Sequence, residues 1–389
     1  MMKISRRGIL GVAATATLYA QEQKMQQGQR KLKIAFVGTG HRAWAHIQVL
    51  KAIPDFEITA LADPTPEFRD RAVALAGSGV RTYDNHDALF AKEKDLDAVA
   101  VVTPTFLHAD PAIAALSRGL HVLCEKPMAL SIQEANRMIA ASQKAGKILQ
   151  IGLQMRYDPI HEKLMEVVKA GEIGKLQYIA GNLFRGDWNP RAWKYTDPKT
   201  GAQTNWRFLT RTAGSSLMED GIHELDILNW SVASPITRIY ASGGNNVFKD
   251  RETIDHAGLV IDYENGIKLA FEFSIFSPNS GPDTLRMMLI GQHGNLQSEI
   301  GKLTVRKNGA AAQDVTPSRT VPEAIGAQQV GADQDIGTYR QYLAFANSIR
   351  TGAKPLCDGD TAKQVLKISL LAEKSLREHR IVTWNDLPA

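Results

Sequence analysis

The chain has 389 residues, 44% of them hydrophobic and 22% charged, enough to bury sizeable cores in about two domains and too apolar for a disordered protein. Its formal charge of +5 includes Lys3, Arg6 and Arg7 within twenty acid-free residues; the remainder carries +2, which is no nucleic-acid footprint. Cys124 and Cys357 are too few for a disulfide framework, and Cys124 sits in an apolar strand-like run where a thiol belongs to the core.

The opening "MMKISRRGILGVAATATLYA" joins a basic start to an apolar run too short to span a bilayer, which predicts a targeting segment. "SRRGIL" resembles the twin-arginine export signal, with Ser5, Arg6, Arg7 and Leu10 in register, although Ile9 replaces the usual Phe and Gly11 the usual Lys. Cleavage after Ala20 fits, but Leu18 is a poor minus-three residue, so retention as a membrane anchor stays open. Residues 1–30 are therefore a signal plus a polar leader. The expected location is the periplasm or outside the cell, with no stable membrane span in the mature form.

Residues 31–155 alternate short apolar runs with helical stretches. The runs "LKIAFVG", "FEITALAD", "LDAVAVVT", "HVLCEK" and "KILQIG" predict a doubly wound parallel sheet wrapped by helices, a Rossmann fold. From about Lys175 the pattern changes to period-two stretches such as "KLQYIAGNLF" and "HAGLVIDYENGIKLAFEFSIF", with hairpin signals at "ENG" and "KNG". This predicts a second α+β domain, residues 156–389, with a large, mostly antiparallel sheet open on one face. Two helices, "DIGTYRQYLAFANSIRTG" and "TAKQVLKISLLAEKSLREHR", close it.

"KIAFVGTGHRAWAHI" is a strand, a Gly-rich turn and a helix start. Gly38 and Gly40 let the backbone of the turn, with His41 and Arg42, approach a pyrophosphate at the helix N-terminus; Ala43 replaces the third glycine, whose position needs only close packing. Asp63 ends the second run, 23 residues beyond Gly40, where a carboxylate binds the adenosine ribose and repels a 2′-phosphate. NAD is thus expected over NADP, with Arg42 the caveat, because a guanidinium in the turn could still meet a phosphate. A helix N-cap at Asp63 with Pro64 at the first helical position is compatible with this role.

Residues 184–212 carry Trp188, Trp193 and Trp206, half of the six tryptophans, interleaved with Arg185, Arg191 and Arg207. Indoles among hydrogen-bonding groups suit a sugar, and a core-capping loop is the competing reading. In "LMEDGIHELDILNW" a single helix would put Glu219, His223, Asp226 and Trp230 within an arc of roughly 60°. Asp220, Glu224 and Ser231 make a second polar stripe, read as the solvated face. No metal spacing such as HExxH accompanies these residues, and no metal is expected.

"VGTGHRA", "ALADP", "TPTFLHAD", "CEKPMAL", "GLQMRYDP" and "GSSLMEDGIHELD" together resemble, in order and spacing, the glucose-fructose oxidoreductase / inositol dehydrogenase / MocA family over residues 31–380. The resemblance implies that Lys126 of Glu125-Lys126-Pro127, beside the cofactor, and His223 hold the substrate hydroxyl. Glu219 stands where the family usually has Asp, as the third catalytic residue that would orient His223, and Asp226 matches the final acid. It also implies that the loop with Thr103, Pro104 and His108 lines the nicotinamide ribose, against a plain helix-start role for His108. Arg156 and Tyr157, at the domain junction, and Trp206, Arg207 and Asp226 are candidate substrate contacts. His223 is taken as general base and Lys126 as electrostatic clamp, since histidine titrates nearest neutrality. The expected activity is NAD-dependent oxidation of a sugar or polyol with a retained cofactor, in a homodimer or homotetramer. The alternative is an NAD-dependent glycoside hydrolase working by oxidation, elimination, hydration and re-reduction; the intact Glu125-Lys126-Pro127 favours simple oxidoreduction.

Overall fold

The computed structural model describes residues 30–187, 194–196, 201, 203–277, 284–319 and 332–388. The first unit runs β1 (Leu32–Val37), α1 (His41–Lys51), β2 (Phe56–Ala62), α2 (Pro66–Ala76), β3 (Arg81–Tyr83), α3 (His86–Lys92), β4 (Ala98–Val101), α4 (Ala109–Ser117), β5 (His121–Cys124), α5 (Ile132–Ala145) and β6 (Leu149–Ile151). Its six strands are all parallel, in the order β3-β2-β1-β4-β5-β6. The strand "AVAV" of β4 is buried at every residue, as a parallel sheet covered on both faces requires. Strand order reverses between β1 and β4, and the crevice at their carboxyl ends is where such folds take ligands. Edge strand β3 was not anticipated: it has three residues, two of them exposed, and no apolar run.

The second unit contains α6 (Pro159–Lys169), β7 (Leu176–Phe184), a small hairpin of β8 (Lys194–Thr196) and β9 (Gln203–Asn205), and three short helices, α7 (Thr210–Ala213), α8 (Ser216–Asp220) and α9 (Ile222–Trp230). Strands β10 (Ile236–Gly244), β11 (His256–Tyr263), β12 (Lys268–Ser274), β13 (Thr284–Gly291), β14 (Gly294–Glu299), β15 (Lys302–Lys307) and β16 (Gln313–Asp314) follow. Helices α10 (Ala332–Thr351) and α11 (Gly359–Glu378) and strand β17 (Val382–Thr383) complete it. The nine-stranded sheet, β16-β15-β14-β13-β7-β12-β11-β10-β17, is antiparallel except for the β7–β12 pair. Gly266 in the "ENG" turn, with φ of +86°, turns β11 into β12.

Two packing relations position the site. A Cβ on Gly181 of β7 would meet Leu228 Cδ1 of α9 at 2.6 Å, so glycine lets α9 lie directly on the inner face of the large sheet. Helix α10 instead returns to the first unit, where Tyr342, Phe345 and Ala346 pack with Ile34, Phe36 and Ile47. The expected division at residue 156 therefore follows the chain but not space: the nucleotide sheet is covered on one face by residues 332–351.

Candidate active site

The turn after β1 is built for close approach. Gly38 has φ of +88°, and a Cβ there would lie 2.6 Å from Val102 C and O and from Thr103 N, so the turn can sit this near the β4 loop only as glycine. Asp63 Oδ2 accepts from Thr39 N at 2.8 Å and Oδ1 from Thr65 N at 2.9 Å, which pins the turn to the end of β2. Each oxygen retains lone-pair capacity for a ribose hydroxyl. Helix α1 starts at His41 with Gly40 as N-cap and no side-chain cap, leaving its first N–H groups for an anion, and Ala43 is fully buried against the sheet. These features fit NAD at Gly38, Gly40, His41 and Asp63. The cap of α2 is Thr65 with Pro66 following, not Asp63 with Pro64.

Arg42 points elsewhere. Its Nε donates to Glu125 Oε1 at 2.7 Å and its Nη2 to Thr338 Oγ1 at 3.1 Å, so the guanidinium braces the fold through two of its three nitrogens. Glu125, expected at the cofactor, is likewise buried as the acceptor of this contact. His108 is buried, with Nδ1 2.7 Å from Pro127 O and Nε2 2.8 Å from Thr103 O. It ties together the two loops at the cofactor edge; Thr103 and Pro104 are half-buried on one of them.

Lys126, at the end of β5, reaches across the domain boundary: Nζ donates to the backbone carbonyl of Glu219 at 2.6 Å. Glu219 Oε1 accepts from Thr105 Oγ1 at 2.5 Å, and Oε2 lies 3.4 Å from Arg207 Nη2. Asp220 Oδ1 accepts from Arg185 Nη1 at 2.9 Å and Arg207 Nη1 at 3.2 Å. His223, half-buried on α9, has an Nδ1 with no partner among the described residues. Burial, with Lys126 adding to it, holds the His223 imidazole well below the ordinary histidine range, so it is neutral near pH 7. Burial also lowers the Lys126 ammonium, with Glu219 opposing and Arg207 reinforcing. The cleft thus combines a neutral imidazole and a cation fixed by a carbonyl, the pairing needed to take a hydroxyl proton and steady an alkoxide.

Several expectations change. The stretch 217–230 is two helices meeting at Gly221, and its supposed wet stripe is dry: Asp220, Glu224 and Ser231 are all buried. Ile222, Leu225, Ile227 and Leu228 point to every side of α9 and leave no solvated face, a signal already present in the spacing. Glu219 does not orient His223; it holds Thr105 and Arg207. Arg156 and Asp226 form a buried two-pronged ion pair, Nε–Oδ2 2.7 Å and Nη2–Oδ1 2.8 Å, with the guanidinium 4.7 Å from the Trp230 ring. Their role is structural in place of substrate contact, and Tyr157 beside them is 4% exposed. Trp206 is buried under the Arg207 guanidinium at 5.2 Å. Trp188, Trp193 and Arg191 lie outside the described residues. Arg185 and Asp220 were read apart, one in the tryptophan-rich loop and one as solvated, and Thr105 was not singled out; only folding joins Thr105 to Glu219 and Arg185 to Asp220.

Glu224 provides a pH signature. Burial pushes its carboxyl up to about 7, and Oε2 has no partner among the described residues. An unfolded glutamate titrates near 4.3, so the stability the folded state draws from the neutral form is complete below about that pH. It is lost as pH rises through 7. Glu224→Gln, which cannot ionise, is expected to unfold at higher urea than the wild type, by a margin near zero at about pH 4 and growing to roughly 3 kcal/mol by about pH 8. A pH-independent margin would contradict this.

Comparison with known proteins agrees with this geometry. Residues 32–153 match the model of the oxidoreductase family with NAD-binding Rossmann fold, GFO_IDH_MocA, and residues 161–297 match a GFO/IDH/MocA C-terminal domain. Among similar proteins, the scyllo-inositol 2-dehydrogenase (NAD(+)) of Bacillus subtilis is 25% identical over 90% of this chain and 95% of its own length. The myo-inositol 2-dehydrogenase of Thermotoga maritima is 25% identical over 92% and 99%. An Agrobacterium radiobacter oxidoreductase solved with NAD+, L-tartaric acid and magnesium shares the fold at a TM-score of 0.78 and 19% identity, covering 92% of this chain and 99% of that one. With both halves matched in order, and with the glycine turn, Asp63 and Lys126 placed around one crevice, the chain belongs to the Gfo/Idh/MocA family of NAD-dependent oxidoreductases.

Proposed function

We propose that this enzyme is an exported dehydrogenase that oxidises a secondary hydroxyl of a sugar or polyol and keeps its NAD bound between turnovers. The observation that carries the reading is the Lys126–Glu219 carbonyl contact, which fixes a cation from the cofactor domain close enough to His223 on the second domain to depress its imidazole. The inositol dehydrogenases among its relatives support a polyol substrate. NAD would be held by Gly38, Gly40, His41, Asp63 and the Thr103–Pro104 loop, and when bound it supplies the hydride acceptor. His223 takes the hydroxyl proton while the Lys126 ammonium, prevented by Glu219 O from swinging away, stabilises the oxygen as negative charge grows there. Arg207 and Arg185 keep Asp220 charged against the cost of its burial, and the cleft wall stays in place.

Export rests on Arg6 and Arg7, which lie outside the described residues, and no helix among the described residues is long and apolar enough to cross a membrane. Assembly rests on the open sheet face. Tyr240, Val260, Ala270, Ala180 and Met288 stand side by side on adjacent strands, and Tyr240 and Val260 are 46% and 44% exposed. A second copy is the occupant proposed for this apolar row. Tyr240→Glu is expected to shift the mass measured by light scattering to that of a monomer; an unchanged mass would remove the row from the interface.

The deciding experiment is to denature the purified protein, assay the released nucleotide, and screen the native enzyme without added cofactor against inositols, free sugars and aryl glycosides. Released NAD(H) with ketone formation from a polyol or sugar is the expected result. Aglycone release would replace dehydrogenation by net hydrolysis, and no nucleotide after denaturation would sink the retained cofactor.

A further inference from the structure

We propose that His46, buried between Glu125 and the Tyr342 hydroxyl of α10, is a positioning residue for Lys126, acting through Glu125. The chain of contacts is continuous and buried. Glu125 Oε2 accepts from the backbone N–H of Lys126 at 2.9 Å, fixing the backbone from which the lysine side chain departs. Its Oε1 accepts from Arg42 Nε at 2.7 Å and faces His46 Nε2 at 2.8 Å. His46 Nδ1 in turn lies 2.8 Å from the Tyr342 hydroxyl. His46 and Tyr342 are fully buried, so water cannot substitute for either partner.

The proton positions follow from chemistry. A neutral imidazole has one N–H, and only one arrangement satisfies both neighbours: Tyr342 O–H donates to Nδ1, and Nε2–H donates to Glu125. In the other tautomer a lone pair on Nε2 would oppose a carboxylate oxygen. Burial, reinforced by Arg42, keeps His46 from protonating, although Glu125 pulls the other way. The carboxylate, which can only accept, therefore selects the tautomer with the proton on Nε2, and the tyrosine hydroxyl completes it by donating to the buried Nδ1. Burial alone would raise the Glu125 carboxyl, but Arg42, His46 and Lys126 hold it well below the usual range, so it stays a carboxylate.

This matters for the adjacent ammonium. Glu125 and Lys126 are neighbours in the chain, and the amine has two competing anchors: the Glu219 carbonyl, where it stands, and the Glu125 carboxylate. A carboxylate supplied with three donors competes weakly. Deprived of the His46 N–H, it would draw the ammonium toward itself, raising the lysine pKa and misplacing the cation. Helix α10, far along the chain, thereby supports the catalytic apparatus: Tyr342 satisfies His46 Nδ1, and Thr338 accepts from Arg42 at 3.1 Å. Around Lys126 the other charged and titratable groups are Arg207, Glu219, Asp220 and His223. Arg207 and His223 also feel the charge of Glu125, but no hydrogen bond joins any of the four to His46 or Tyr342 among the described contacts.

The inference takes Lys126 as the clamp proposed above, and its test is arranged to survive failure of the polyol assignment. The amine of Lys126 is titrated without any substrate, by its rate of acetylation with acetic anhydride against pH, read by peptide mass spectrometry in the full-length, NAD-loaded protein. His46→Leu is expected to raise the Lys126 titration by about half a pH unit or more, and Tyr342→Phe to move it part of the way. His46→Gln, whose amide N–H can reach Glu125, is expected to restore the wild-type value. With an accepted substrate, His46→Leu should lower kcat about tenfold or more with the NAD dissociation constant within about threefold, and His46→Gln should recover most of the rate. An unchanged Lys126 titration in both His46→Leu and Tyr342→Phe would overturn the relay, as would equal losses in His46→Leu and His46→Gln. If His46→Leu does not fold, Tyr342→Phe alone decides. A shifted titration in a protein that oxidises no polyol would support the relay and reject the substrate assignment.

Discussion

Lys126→Met is expected to lower kcat by about three orders of magnitude while leaving the NAD dissociation constant within about threefold, measured by stopped-flow reduction and by quenching of protein fluorescence. Methionine is near in length to lysine and apolar, so the pocket stays filled; what disappears is the charge that meets the growing negative oxygen. The nucleotide is gripped elsewhere, by the glycine turn with φ of +88° at Gly38 and by Asp63, and those contacts do not involve the lysine. Lys126→Arg should fail almost as badly, because a planar guanidinium cannot place a point charge on the Glu219 carbonyl within 2.6 Å and also face the substrate. A loss of NAD binding that matched the loss of rate would instead make Lys126 a cofactor ligand.

The first wall of the cleft was legible in the sequence because its signals are local. A glycine turn, an acid at the end of the next strand and a lysine-proline step at the end of "HVLCEK" each declare themselves within a few residues, and alternation of strand and helix places them on one sheet edge. Ala43, read as a packing position, is fully buried. The second wall was legible only in part. His223 could be singled out, but its surroundings could not, because the partners of a buried charge are chosen by tertiary distance. Glu219 pairs with Thr105, 114 positions away, and Asp226 with Arg156, 70 positions away. The same limit hid Tyr342, which reaches His46 across 296 positions through a helix that the chain order assigns to the other domain. The misread wet stripe has a different cause. Asp220 and Glu224 look like surface residues by type, and they tolerate burial because Arg185 and Arg207 neutralise the first and protonation neutralises the second.

The companion substitution separates base from clamp. His223→Asn, which keeps a hydrogen-bonding group of similar shape but cannot accept a proton at neutral pH, is expected to lower kcat by about three orders of magnitude. In the wild type the kcat/KM profile should be bell-shaped. Because burial and Lys126 depress the imidazole, its neutral form persists below the ordinary histidine value, so the acid limb falls at lower pH than about 6.5. Because burial depresses the ammonium, the alkaline limb begins below the ordinary lysine value of about 10.4, where the clamp loses its charge. His223→Asn should abolish the acid limb and leave the alkaline one, and Lys126→Met should do the reverse. If His223→Asn kept full turnover while Lys126→Met lost it, the roles would exchange: the neutral amine would be the base, and activity would rise with pH through the limb that the present assignment has falling.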